Sequence, residues 1–419
     1  MLGRRALAVT LFLSGISSAA LAENWPQWRG PALNGISSEK NLPVKWSPTE
    51  NIAWKLPLAE RSGATPIIWG DHIFLNVAEQ GKLYLWNVNR KSGEVRWKKH
   101  LSDGDVMMRK QNMSSPSPVT DGRMVWVMTG TGILKAFDVE GNEKWMRDIQ
   151  AEYGRFGLNW GYASSPLLHE KHLYVQVLHG MRTDDPSYIL KIDTATGKTV
   201  WRVERPTQAI RESPDSYTTP MLASVKGRLE LIIAGGDVLT GHDLETGKEL
   251  WRGSGFNPTN NPAQRIIASP VVAGDIVYAS TRVKPFIAFR AGGSGDVSES
   301  HKVFSFDNGP DVPTPVADDK YLYVVRDNGV VYCLDRFTGA EVYGGKRLRA
   351  GTYSASPVLA DGKLYVTSEE GVASVWKAGP EFEILAENEM GEYTLSSVAV
   401  SGGQIFLRTA GGLYCIGKK

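Results

Sequence analysis

The 419-residue chain has only two cysteines, Cys333 and Cys415, 82 positions apart. They lie in matching contexts, Gly329–Leu334 and Gly412–Ile416, as equivalent positions of two separate structural units would. A disulfide needs Cα atoms within about 7 Å, so two buried free thiols, packed as small apolar side chains, are expected. Net charge is lacking too. Without residues 1–22, 45 Lys+Arg balance 45 Asp+Glu, and no global field draws the protein to nucleic acid or an anionic membrane. Beyond the first residues no apolar stretch approaches the roughly 18 needed to cross a bilayer. Seven histidines are present, but the closest pair, His169 and His172, has no Cys, Asp or Glu set at zinc spacing, so no metal is expected. The glycine runs Gly292–Gly295 and Gly402–Gly403 open no helix, which excludes phosphate cradles. There is no Gly-x-Ser-x-Gly and no legible nucleophile–base pair.

The chain opens with Arg4 and Arg5, an apolar run from Ala6 to Ile16, and a small-residue stretch ending Ala20-Leu21-Ala22. This order of charged, apolar and small residues predicts a secretory signal peptide over 1–22, cut after Ala22. The mature chain is then expected from Glu23, periplasmic or secreted, with no membrane insertion after cleavage and as a monomer.

One phrase recurs along the remainder: Ser or Thr, then Pro, then an apolar strand. It reads Thr65-Pro66, Ser117-Pro118, Ser165-Pro166, Thr219-Pro220, Ser269-Pro270, Thr314-Pro315 and Ser356-Pro357, with Ser397 standing in for the last proline. The intervals are 52, 48, 54, 50, 45, 42 and 40 residues, about the period of a four-stranded propeller blade. Within one period, Val358–Ala360, Lys363–Thr367, Val372–Trp376 and Glu381–Ala386 are short β-rich runs between turn signals. No run of comparable length has helical periodicity.

A second signature, Asp-x-x-Thr-Gly-x-x-x-Trp, runs Asp193 to Trp201 and Asp243 to Trp251, with variants ending at Trp97, Trp145 and Tyr343. Asp opens the turn, Gly supplies a positive φ, and the ring four residues on is placed to wedge between neighbouring blades. The fifth unit breaks the pattern: Pro285 to Ser300 lacks the Thr-Gly half, and Phe304 stands where Trp is expected. The last unit ends one strand short. Asn51–Leu56 at the other end supplies it, closing the ring and removing exposed edges. The reading is all-β: a signal peptide over 1–22, an N-terminal extended segment over 23–50, and one eight-bladed β-propeller over 51–419.

These two motifs together resemble the pyrroloquinoline-quinone (PQQ) type propeller repeat of quinoprotein alcohol dehydrogenases and of the BamB lipoprotein of outer-membrane assembly. The opening Asn24-Trp25-Pro26-Gln27-Trp28-Arg29-Gly30-Pro31 is similar to the start of many secreted PQQ-like repeat proteins. The resemblance implies a fold, which hosts unrelated activities. It also implies, for the dehydrogenases, adjacent cysteines and calcium-holding carboxylates. Neither is matched here. BamB-like proteins carry a lipidated cysteine at the mature N-terminus, where this chain has Glu23. The expectation is a non-enzymatic scaffold without cofactor that binds a protein or small molecule; the alternative is a quinoprotein oxidoreductase of alcohols or sugars using PQQ and Ca²⁺.

The segments running into the Ser/Thr-Pro phrases converge on one face of a propeller, around its channel, where loops carry function. They are rich in cations and rings: Arg61, Arg109, Asn112, Asn159, Trp160, Tyr162, Tyr217, Arg265, Tyr353 and Tyr393 are the candidate ligand- or partner-binding residues. Two arrangements are open. Arg and Tyr frame a mouth for a planar anion or a carboxylate-bearing peptide, or the tyrosines plug the channel and the arginines pair with Glu152, Glu212, Asp215 and Asp311.

Overall fold

The protein is described by a computed structural model covering residues 22–418; the signal-peptide stretch falls, apart from Ala22, outside the described residues. Eight antiparallel sheets follow one another along the chain, six of four strands and two of five. Blade 1 is typical: Ile67–Trp69, His72–Glu79, Lys82–Asn89 and Val95–Asp103 run from the centre outward. The inner three strands are almost wholly buried, whereas Val95–Asp103 alternates half-buried and exposed residues, as a strand with one solvated face must. The four strands read from one period are found as Val358–Ala360, Lys363–Thr367, Val372–Lys377 and Ile384–Glu389, the last beginning three residues later than expected. One short helix interrupts the β pattern, Ile149–Tyr153, capped by the Asp148 carboxylate, which accepts from Ala151 N at 2.9 Å.

Closure occurs as the repeat count requires. Strand Ile52–Pro57 pairs antiparallel with Gly412–Ile416 and becomes the outermost strand of blade 8. Both cysteines are free and buried, and burial raises each thiol to about 12.

The two signatures turn out to join different blades at different radii. At the outer radius the half-buried rings of Trp54, Trp97, Trp145 and Trp201 lie over Gly93, Gly141, Gly197 and Gly247 of the following blade. A Cβ on Gly197, whose φ is +70°, would sit 2.7 Å from the Trp145 ring. Each indole also donates to a carbonyl of that turn, at 2.9–3.2 Å, on Arg90, Val139, Thr194 and Leu244. Glycine therefore serves twice, adopting the left-handed turn and leaving room for the ring. Phe304 occupies the equivalent place over Gly339. Trp251 does not, because blade 5 has no Thr-Gly turn to receive it. Its ring is fully buried against Gly241 of its own blade and donates to the buried Glu230 carboxylate at 2.7 Å. The drifted segment of unit five covers this place, adding Gly295–Asp296 in parallel beside Glu249–Gly253.

At the inner radius the Ser/Thr of each phrase is the connector. The N–H of Thr65 donates to Ser117 Oγ, Ser117 to Ser165, and so on through Thr219, Ser269, Thr314 and Ser356 to Ser397, at 2.8–3.3 Å. Seven of eight boundaries are linked this way. At the eighth, Thr65 Oγ1 is buried without a partner, and Ser396 Oγ instead donates to Ala64 O at 3.0 Å. This ring also corrects the alignment of the last unit: Ser397 occupies the Ser/Thr position, and Val398 stands in for the proline.

Residues 24–37 cross the channel. Trp25 exchanges two backbone hydrogen bonds of 2.8 Å with Ile68 of blade 1, Pro26 O accepts from Thr120 N of blade 2 at 3.0 Å, and Gln27 Oε1 accepts from Leu168 N of blade 3 at 2.9 Å. Arg29, fully buried, then reaches the far side and donates to Pro315 O at 2.9 Å and Pro357 O at 2.7 Å. Ile36–Ser37 finally pairs in parallel with Val358–Ala360, inside blade 7. Burial without a carboxylate partner lowers the Arg29 guanidinium to about 9.

Candidate functional site

The polypeptide arriving at each blade is extended, so its side chains alternate between the channel and the blade interior. Counted back from the proline position, the residue one before faces the channel in seven blades and the residue three before does so in all eight, from Gly63 and Ala163 to Ile267, Tyr217 and Leu395. Two stacked rings result, the lower made of hydroxyls and the upper of small or apolar groups. They enclose a cavity of about 450 Å³, within the range of small-ligand pockets. Its wall also includes Trp28, brought there by the segment that crosses the channel.

The alternation sorts the candidates named from the sequence. Arg109, Trp160, Tyr217 and Arg265 line the cavity. Tyr217, three before its proline, accepts a hydrogen bond from Trp160 N at 3.1 Å, and the Trp160 indole donates to Glu212 Oε1 at 2.7 Å. Tyr162 and Tyr353, four before theirs, point the other way into the core, where their hydroxyls donate to Gln176 O at 3.0 Å and Arg349 O at 2.8 Å. Neither plugs the channel. Asn112 is wholly buried and braces its own loop, accepting from Ser114 Oγ at 2.7 Å and donating to Arg61 O at 3.0 Å. Asn159 donates its N–H to Asp215 Oδ2 at 2.7 Å and accepts from Arg182 at 3.0 Å, away from the cavity. Arg61 lies over the Tyr393 ring at 5.1 Å, and Tyr393 donates to Glu369 at 3.1 Å, beside the cavity rather than in it.

The arginine pairing expected from the sequence holds for Glu212 and Asp311, which approach Arg265 at 3.6 and 3.5 Å. Lys110, on the same wall, pairs with Glu369 at 2.6 Å. Glu152 instead pairs with Arg147, and Asp215 clamps backbone, accepting from Asn159 N, Gly180 N at 2.9 Å and Met181 N at 3.1 Å. Burial raises the carboxyls of Asp215 and Asp311 to about 6, outweighing those hydrogen bonds in the first and the Arg265 guanidinium in the second. Asp327, missed from the sequence, lines the cavity and accepts from Asp311 N at 2.7 Å and Val312 N at 3.0 Å.

The donor set does not fit the calcium that the dehydrogenase resemblance implies. Such an ion takes about 6 to 8 oxygens, and here both Asp327 oxygens are engaged by backbone N–H groups while Asp311 faces a guanidinium. Among the described residues no three His, Cys, Asp or Glu side chains gather as a metal site.

The family model described as outer membrane protein assembly factor BamB matches residues 36–156 and 155–345. A relative of that name from Alkalilimnicola ehrlichii is 26% identical over 205 residues, covering 45% of this chain and 50% of that protein, so the chain spans about half the length of the relative it matches. The crystal structure of BamB from Moraxella catarrhalis superposes with a TM-score of 0.63 at 15% identity, over 87% of this chain and 99% of that one. The quinohemoprotein alcohol dehydrogenase from Comamonas testosteroni gives 0.69 at 11%, over 94% of this chain and 81% of that one. At these identities both structures speak for the fold alone.

Proposed function

Because this chain belongs to the family described as outer membrane protein assembly factor BamB, we propose that it is an exported, non-catalytic propeller that docks a protein partner on its mouth face and takes part in outer-membrane protein assembly. One observation carries the docking face. Of the ten large apolar side chains left exposed among the described residues, Val106, Met107, Met181, Ile210 and Val283 all stand on loops of the mouth face. They stand on four loops of one face, a bias toward that face that favours it as a docking surface, and methionine adapts to an incoming surface. On the opposite face the turns expose Phe337. Lys110 and Arg265 of the cavity wall are held in ion pairs with Glu369, Glu212 and Asp311, which suits orientation and recognition better than proton transfer.

The test is chemical cross-linking in intact envelopes followed by affinity capture of the tagged protein. Met107→Asp together with Val283→Asp is expected to abolish the captured partner, whereas Phe337→Asp leaves it. Equal capture by all variants would remove the mouth face from the proposal. Dye-coupled oxidation of an alcohol and sugar panel with added PQQ and Ca²⁺ is expected to stay at background; turnover that disappears with a chelator would overturn the non-catalytic reading.

A further inference from the structure

The mouth cavity has a composition that selects the chemistry of a small occupant, an inference that rests on the mouth face being the binding face. Seven lead-in hydroxyls line it, and each already accepts a hydrogen bond from a neighbouring blade's N–H. Among the described residues none of these seven donates in turn, so a ring of free O–H donors faces the same space. Converging donors disfavour a cation.

An anion is disfavoured as well. The three cations on the wall, Arg109, Lys110 and Arg265, stand among four carboxylates, Asp311 and Asp327 on the wall and Glu212 and Glu369 paired behind it. An added negative charge would meet more carboxylate than ammonium or guanidinium. What fits is a neutral ligand rich in oxygen acceptors. It should also offer donors, because Asp311 Oδ1 and Ser115 Oγ are buried beside the cavity without partners.

The aromatic groups narrow the class further. Trp28, Trp160 and Tyr217 add three aromatic rings to a wall that also carries the ring of hydroxyls. Rings for C–H faces and hydroxyls for hydroxyls are the complement of a sugar. We propose that the cavity binds a neutral saccharide of one to three units, held by the hydroxyl ring below and by Trp28 and Trp160 at its sides. Entry is from the mouth, since residues 24–37 close the other end.

The test is calorimetric titration, with tryptophan fluorescence alongside, of the mature protein with glucose, maltotriose, N-acetylglucosamine and chitotriose. Glucuronate and an uncharged tripeptide form the comparison arms. At least one neutral sugar is expected to bind saturably and to change the emission. Trp28→Ala removes a ring whose indole makes no hydrogen bond among the described residues, and should weaken binding about tenfold or more while the variant stays folded, as read from its circular dichroism at the titration temperature. Ser269→Ala should weaken it as well, titrated at a temperature where its melting curve shows the variant still folded, because it also strands the Thr219 N–H. Silence across the neutral panel, preference for glucuronate or the peptide, or affinity indifferent to Trp28 would each overturn the proposal. Loss of sugar binding in Trp28→Ala with partner capture intact would separate this site from the docking face. Silence toward sugars with capture still abolished by Met107→Asp and Val283→Asp would sink the saccharide proposal alone.

Discussion

The boundary that closes the ring, between blades 8 and 1, differs from the boundaries formed by blades consecutive in the chain. At its outer radius it is ordinary: Trp54 lies over Gly93 and donates to Arg90 O as Trp145 does to Thr194 O over Gly197. At the inner radius it is incomplete, with Thr65 Oγ1 buried and partnerless where every other boundary has a hydroxyl link. The outer contact joins Trp54 to residues less than 40 positions on, whereas the remote contact is the pairing of Ile52–Pro57 with Gly412–Ile416, and the ring tolerates one imperfect inner link once that strand is seated. Closure is thus carried by this backbone ladder more than by the hydroxyl ring.

The comparison can be broken at several points. Trp54→Ala and Trp145→Ala should each cost about 3 kcal/mol, the usual scale for truncating a packed indole, read from denaturant midpoints; a Trp54 variant much milder than the Trp145 variant would show that the outer contact of this boundary is not equivalent to the others. Ser269→Ala strands the Thr219 N–H and is expected to cost about 1–3 kcal/mol. Ser396→Ala, which removes the substitute bond to Ala64 O, should cost about 1 kcal/mol. Thr65→Val deletes a hydroxyl that bonds nothing and should leave stability within about 0.5 kcal/mol of the parent; a loss comparable to Ser269→Ala would show that the eighth link forms in solution.

The architecture was legible because it repeats: one period, read eight times, states where strands, turns and the missing strand must be. The reasons for the repeated residues were less legible, because each acts on another blade. Nothing near Ser117 in the sequence shows that its hydroxyl takes the N–H of Thr65, 52 residues away. Trp251 matched its signature and still turned inward, since its fate depends on a turn that the next blade lacks. The candidate site was half legible. Cations and rings near the mouth were identified, but Tyr162 and Tyr353 sit one residue out of phase with Tyr217, and that parity decides between core and cavity. The channel crossing by residues 24–37 left no pattern a single sequence could reveal, beyond the compact group of Trp25, Trp28 and Arg29 itself.

That crossing sets an order on how the molecule can be completed. Residues 24–57 are made well before some of their partners, which include the carbonyls of Pro315 and Pro357, 286 and 328 residues beyond Arg29, and the strand Gly412–Ile416. Contacts so remote in sequence form late. Trp25 to Gln27 can find blades 1 to 3 early, but Arg29 and the strand Ile52–Pro57 must wait for blades 6, 7 and 8, so the two ends of this one stretch are seated at opposite ends of folding.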